Sequence, residues 1–199
     1  MNKNDLRDIK TEETIIDAFS KCVYELGFER TTIAAICQKA RISRNTFYFH
    51  YEDKYDLLNT LYANLETKLG NSLEEHTIEE LKHYSIRDSV EWTYSEIEKN
   101  KEDILLLLTC SRDKMRNLFR KAFIDDLLVI LVPNYKKKSE NIKLQLVKNY
   151  TADAMVGYIE TWLNHYDEIS VNDIIDIMEK LCTVPVQTHF EMLGMLKEN

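Results

Sequence analysis

The stretch 30–51, RTTIAAICQKARISRNTFYFHY, gathers side chains suited to holding a polyanion. Arg30, Lys39, Arg41 and Arg44 lie in it with no Asp or Glu, in a chain of formal net charge −8. Cations without local carboxylates favour a phosphate backbone, because each contact releases condensed counterions. Arg44 and Asn45 add a second chemistry: Arg bonds guanine, and Asn adenine, through paired hydrogen bonds to the base edge. Thr46, Tyr48 and His50 carry hydroxyl or imidazole donors that suit phosphate oxygens. Lys54 adds a positive charge close to a helix start.

These residues need a scaffold, and the spacing predicts two short helices split by a tight turn, the layout of a helix-turn-helix. Thr32 is placed to cap the first, with Ile33, Ile36, Cys37 and Ala40 as its inner face. Ser43 caps the second, which runs from Arg44 to about Tyr51. Phe47 and Tyr51 face the core from it, joined by Ile42 in the turn, and Phe49 is expected to be partly core. Upstream, a helix over 8–26 presents Ile9, Ile16, Phe19, Val23 and Leu26 on one face and stops at Gly27. Downstream, a long helix starts near Asp53 with a stripe of Tyr55, Leu58, Tyr62, Leu65 and Leu69.

The remainder reads as all-α. Only four Gly and two Pro occur in 199 residues, and no strand-like alternation or internal repeat stands out. Residues 70–85 are polar and form an expected junction. Helices are predicted over 90–100, continuing or breaking near Asp103, over 113–131 ended by Pro133, over 142–165 and over 171–183. A solvated loop is expected at 136–141, and Pro185 should turn the chain into a last helix over 186–196. Charge follows the same division: residues 1–55 hold nine basic and nine acidic residues, so 56–199 carry the whole −8. The expected organisation is a helix-turn-helix domain over 1–55 and a helical domain over 56–199.

Several function classes find no support. Cys22, Cys37, Cys110 and Cys182 show no metal-like spacing and suit small buried hydrophobes in a reducing cytoplasm. The five His residues form no HExxH, and no P-loop, GxSxG or dinucleotide fingerprint occurs, so neither catalysis nor a metal or cofactor is expected. No apolar run approaches the ~20 residues of a membrane span, 104–108 being five residues long, and the N-terminus has no signal-peptide core.

The run TTIAAICQKARISRNTFYFHYEDKYDLL resembles the DNA-binding domain of TetR/AcrR-family transcriptional regulators, over about residues 9–62. It shares their Thr-Thr start, Thr-(apolar)-Tyr-x-His reader helix and Lys-x-x-Leu motif opening the fourth helix. One position departs from the pattern: Arg41 stands where Gly is usual. A left-handed Arg there is disfavoured by ~1 kcal/mol, which a phosphate contact would offset. The resemblance implies a homodimer on a palindromic operator in double-stranded DNA. It further implies that Thr32, Thr46, Tyr48, His50 and Lys54 contact phosphates while Arg44 and Asn45 face bases.

The segment YTADAMVGYIETWLNHY also resembles, loosely, the C-terminal domain of one TetR subgroup. By that resemblance Met155, Val156, Ile159, Trp162 and Leu163 would serve a dimer interface, although Trp162 could equally pack inside its own subunit. An unknown small-molecule effector is the family expectation, with Trp92, Ile97, Leu105, Leu108, Cys110, Phe119, Phe123 and Tyr158 as lining or as plain core. The expected function is a cytoplasmic, sequence-specific, ligand-released repressor. The alternative is a co-regulator whose C-terminal domain binds a protein.

Overall fold

The computed structural model describes residues 3–74, 86–121 and 142–180, and every regular element among them is helical. Helix α1 (Lys3–Leu26) buries Ile15, Ala18, Phe19, Cys22 and Val23. Ile9 and Leu26, expected inside, are 43% and 37% exposed. Counting Ala18 and Cys22 as core moves the buried line by about 60° around the helix, which leaves Ile9 on its margin. Leu26 lies in the last turn, where the chain leaves the helix. Gly27 makes that departure at φ +81, its N–H donating to the Val23 carbonyl at 2.8 Å.

Helix α2 (Ile33–Ala40) starts where Thr32 Oγ1 accepts the Ala35 N–H at 3.2 Å, and it buries Ile36, Cys37 and Ala40. Arg41 ends it in the left-handed conformation, φ 56 and ψ 41, with its N–H donating to the Gln38 carbonyl. Ser43 Oγ then accepts the Thr46 N–H at 3.0 Å and opens α3 (Arg44–His50). Asp53 caps α4 (Lys54–Glu74), its Oδ1 accepting the Tyr55 and Asp56 N–H groups at 2.7 and 2.8 Å. Leu57, Leu58, Leu65 and Leu69 are buried on α4 while Tyr55 is exposed, so the buried stripe begins two residues later than the spacing predicts.

The chain divides into two compact units, residues 1–64 with 105–112, and residues 65–104 with 113–199. The first therefore takes in more than 1–55. It holds the second half of α6 (Lys101–Cys110), tied down by Tyr62, whose hydroxyl reaches the carbonyls of Leu107 at 2.9 Å and Ser111 at 3.0 Å. The Leu107 carbonyl also accepts the Ser111 N–H at 2.9 Å, so the hydroxyl is its second donor, while the Ser111 carbonyl lies just past the helix end.

In the second unit α5 (Ile86–Lys99) ends at Asn100, where the sequence predicts its end, and Asn100 Nδ2 donates to the Glu96 carbonyl at 2.9 Å. There follow α7 (Arg112–Phe119), α8 (Ile142–Asn164) and the described part of α9 over 171–180. Trp162 of α8 is 1% exposed, its ring edge-on to Tyr94 of α5 at 5.0 Å and 5.7 Å from Tyr166. Arg87 joins α5 to α9 through Asp176 and Glu179 at 2.7 and 2.8 Å. Expectations for 75–85, Phe123, the helix end at Pro133, the 136–141 loop, Cys182, Pro185 and 186–196 lie outside the described residues. No described helix is long and apolar enough to cross a membrane.

Candidate nucleic-acid interface

Two turns of helix decide which side of α3 faces outward. Phe47 is fully buried and Tyr51, just past its end, is 3% exposed. Tyr51 is fixed further by its hydroxyl, which donates to Glu12 of α1 at 2.9 Å. Burial, and after it this bond to a carboxylate, holds the phenol proton well above its ordinary range. With Phe47 and Tyr51 anchored inward, the 100° step per residue turns Asn45 and Phe49 away from the core, with Arg44 and Tyr48 on one flank and Thr46 and His50 on the other. Arg44, Asn45 and Tyr48 are exposed, while Thr46 and His50 are half-buried.

Phe49 is where the expectation fails. It is 76% exposed, not partly core, with its ring edge-on to His50 at 5.2 Å. It lies about 200° around the helix from Phe47 and from Tyr51, so the inward side is already occupied. That angle was available from the spacing alone.

The charge pattern also needs revision. The window carries no carboxylate of its own, yet α1 supplies one: Glu25 pairs with Lys39 at 2.6 Å. Arg30 is also engaged, its Nε donating to the Leu26 carbonyl at 2.7 Å. Arg41 and Arg44 differ from these two, since neither side chain forms a hydrogen bond or ion pair with any described residue. Arg44 lies close enough to Cys37 to lower its thiol pKa, although burial outweighs this and the net shift is upward. The positive charge presented outward is therefore concentrated at the turn and at the first residue of α3.

The hydroxyls and Lys54 have structural duties. Thr32 Oγ1 caps α2, and Thr46 Oγ1 bonds Ser43 Oγ at 2.9 Å. Lys54 Nζ donates to the carbonyls of Phe28 and Glu29 at 2.9 and 3.0 Å, and it sits 4.6 Å from the Phe28 ring centre. Its cation thus fastens the start of α4 to the turn between α1 and α2. Each ammonium carries three donors, so one remains beyond these two carbonyls.

In the C-terminal half, Met155, Val156, Ile159, Trp162 and Leu163 are all buried within the chain itself. Exposed instead on α8 are Ile142, Leu146 and Tyr150, four residues apart along one face. Of the expected pocket residues, Leu105, Leu108 and Cys110 belong to the first compact unit and Trp92, Ile97, Phe119 and Tyr158 to the second. Ile97 and Phe119 are fully buried, and Trp92, Leu105, Leu108, Cys110 and Tyr158 half-buried. Among the described residues no group of three or more His, Cys, Asp or Glu side chains could hold a metal ion.

Known proteins resemble both the sequence and the fold. Residues 15–61 match the family of bacterial regulatory proteins described as the tetR family. An uncharacterized HTH-type transcriptional regulator, YxbF, of Bacillus subtilis is 23% identical over 155 residues, covering 77% of this chain and 40% of the relative. The HTH-type transcriptional regulator TtgR of Pseudomonas putida is 34% identical over 56 residues, 28% of this chain and 27% of that protein. The chain thus spans less than half the length of these curated relatives. Among solved structures, a TetR transcriptional regulator from Streptococcus agalactiae superposes with a TM-score of 0.60 at 22% identity, over 87% of this chain and 94% of that one. The fatty acid degradation regulator FadR from Bacillus halodurans gives 0.58 at 12% identity, over 86% and 93%.

Proposed function

We propose that this chain, a member of the TetR family of bacterial transcriptional regulators, binds a palindromic operator as a homodimer and acts as a ligand-released repressor. One observation carries the reading: α3 buries Phe47 and leaves Arg44 and Asn45 exposed, in a stretch, 30–51, that contributes no Asp or Glu of its own. Base edges would be met by Arg44 and Asn45. Phosphates would be met by Arg41, Thr32, Thr46, Tyr48, His50 and the remaining donor of Lys54.

Dimerisation is supported by the exposed Ile142, Leu146 and Tyr150 on α8, an apolar face that a second copy would cover. Two readers so related would meet half-sites about 34–36 Å apart, one turn of duplex. Release by a small molecule would act through a shift between DNA-competent and incompetent states. The route would run through α6, since its second half is packed in the same unit as the reader and held there by Tyr62. The place of action would be the cytoplasm. A C-terminal domain that recognises a protein instead of a small molecule is the alternative, and a titration of purified chain with candidate metabolites separates the two. The test of DNA binding itself is enrichment of a random duplex pool by the full chain. Recovery of a two-fold symmetric sequence bound by two chains is the expected result, and recovery of no preferred sequence would refute it.

A further inference from the structure

A large apolar side chain stands on the outward crest of the reader. Phe49 is 76% exposed and, among the described residues, no large apolar side chain is more so. It lies one turn after Asn45, about 40° around the helix, and about 200° from the buried Phe47. The T-shaped contact with His50 at 5.2 Å orients the ring from its flank. Exposed Phe on a monomer surface is ordinary when its surroundings are mixed. Phe49 shares the exposed side of α3 with Asn45, and Arg44 is exposed on its flank, in a helix that has no carboxylate of its own, which fits the groove of a duplex.

A phenyl ring offers no hydrogen bond, so it can discriminate only an apolar feature of the base edges. The major groove presents one such feature, the C5-methyl group of thymine. We infer that Phe49 is a specificity-determining residue that packs on a thymine methyl in each half-site. Four residues of helix rise about 6 Å, close to the span of two base-pair steps at ~3.4 Å each. The thymine under Phe49 therefore lies about two steps from the base bonded by Asn45. This inference rests on the DNA-binding reading above and adds to it which chemical group the crest selects.

Deoxyuridine differs from thymidine by that methyl alone, and it provides the probe. The duplex enriched by the full chain is remade with each thymine in turn replaced by deoxyuridine, and binding is followed by fluorescence anisotropy. One thymine position per half-site is expected to lose about fourfold in affinity on losing its methyl, the ~0.8 kcal/mol of one buried carbon group converted at ~1.4 kcal/mol per tenfold. Phe49→Ala should bind the thymidine and deoxyuridine duplexes equally while melting at the wild-type temperature, because the replaced ring is exposed. A wild-type chain indifferent to every replacement, or a Phe49→Ala chain that keeps the fourfold preference, overturns the inference and leaves sequence-selective binding standing. If the pool yields no preferred sequence, the DNA-binding reading falls and this inference falls with it.

Discussion

Replacing Arg41 by Gly should strengthen the fold and weaken the grip on DNA at the same time. Arg41 holds φ 56 and ψ 41, the sole positive φ among the described non-glycine residues. The left-handed region is disfavoured by roughly 1–2 kcal/mol for an L-residue with a Cβ. Glycine removes that strain but loses about 0.5–1 kcal/mol more entropy on folding, so the net gain is about 0.5–1 kcal/mol. The capping hydrogen bond from residue 41 to the Gln38 carbonyl uses the backbone N–H and survives the change. For a chain of this length about 1 kcal/mol moves a melting midpoint by about 2–4 °C, so the midpoint should rise by about 1–4 °C.

The same change deletes a guanidinium that makes no hydrogen bond with the described residues. If it meets a phosphate, the slope of log affinity against log salt should fall by about 0.9 per chain, or about 1.8 for a dimer. Thermal melting by circular dichroism and anisotropy titrations between about 50 and 200 mM salt read the two effects separately. A lowered midpoint would refute the strain argument, and an unchanged slope would refute the phosphate contact.

Glu25→Gln should tighten DNA binding and steepen its salt dependence, because Lys39 loses the carboxylate at 2.6 Å that now neutralises it; weaker or unaltered binding would contradict this. Tyr62→Phe should destabilise the chain by about 0.5–1.5 kcal/mol in a denaturant titration, since the Ser111 carbonyl loses the hydroxyl while the Leu107 carbonyl keeps the Ser111 N–H; a change below about 0.3 kcal/mol would show the bond to be dispensable. Stability should fall on the alkaline side. The Cys110 thiol is pushed up to about 12, chiefly by burial and against the lowering effect of Lys54. An unfolded thiol ionises near pH ~8.5. Above that pH the unfolded chain sheds a proton that the folded chain keeps until about 12, so stability present below pH ~8.5 is lost as the pH rises. Cys110→Ala should flatten the loss between pH ~8.5 and ~10, and equal slopes in the two proteins would count against burial as its cause.

Local chemistry was legible in the sequence. Thr32, Ser43 and Gly27 act within three or four residues of themselves, so their types and positions announce the caps that the structure contains. The inward aim of Phe47 and Tyr51 follows from helical periodicity in the same way. What escaped notice depends on segments distant in sequence. Glu25 reaches Lys39 across 14 residues, and Tyr62 reaches Leu107 across 45, so neither partnership leaves a periodic trace. The cation of Lys54 goes to carbonyls, groups that every residue carries and that composition therefore cannot point to. Phe49 was a different failure: hydrophobicity argued for burial, while its angle from Phe47 argued for exposure, and the angle prevailed.

The account stands on Arg44 and Asn45 touching bases while the hydroxyls and other cations touch phosphates. The direct measurement is the ratio of affinities for the enriched duplex and a scrambled one, at one salt concentration, for the wild-type chain and for Arg44→Ala and Asn45→Ala. Each replacement should reduce that ratio by about 5–150-fold, the ~1–3 kcal/mol of a paired base contact, with little change in binding to the scrambled duplex for Asn45→Ala. A ratio unchanged by both replacements would contradict the account.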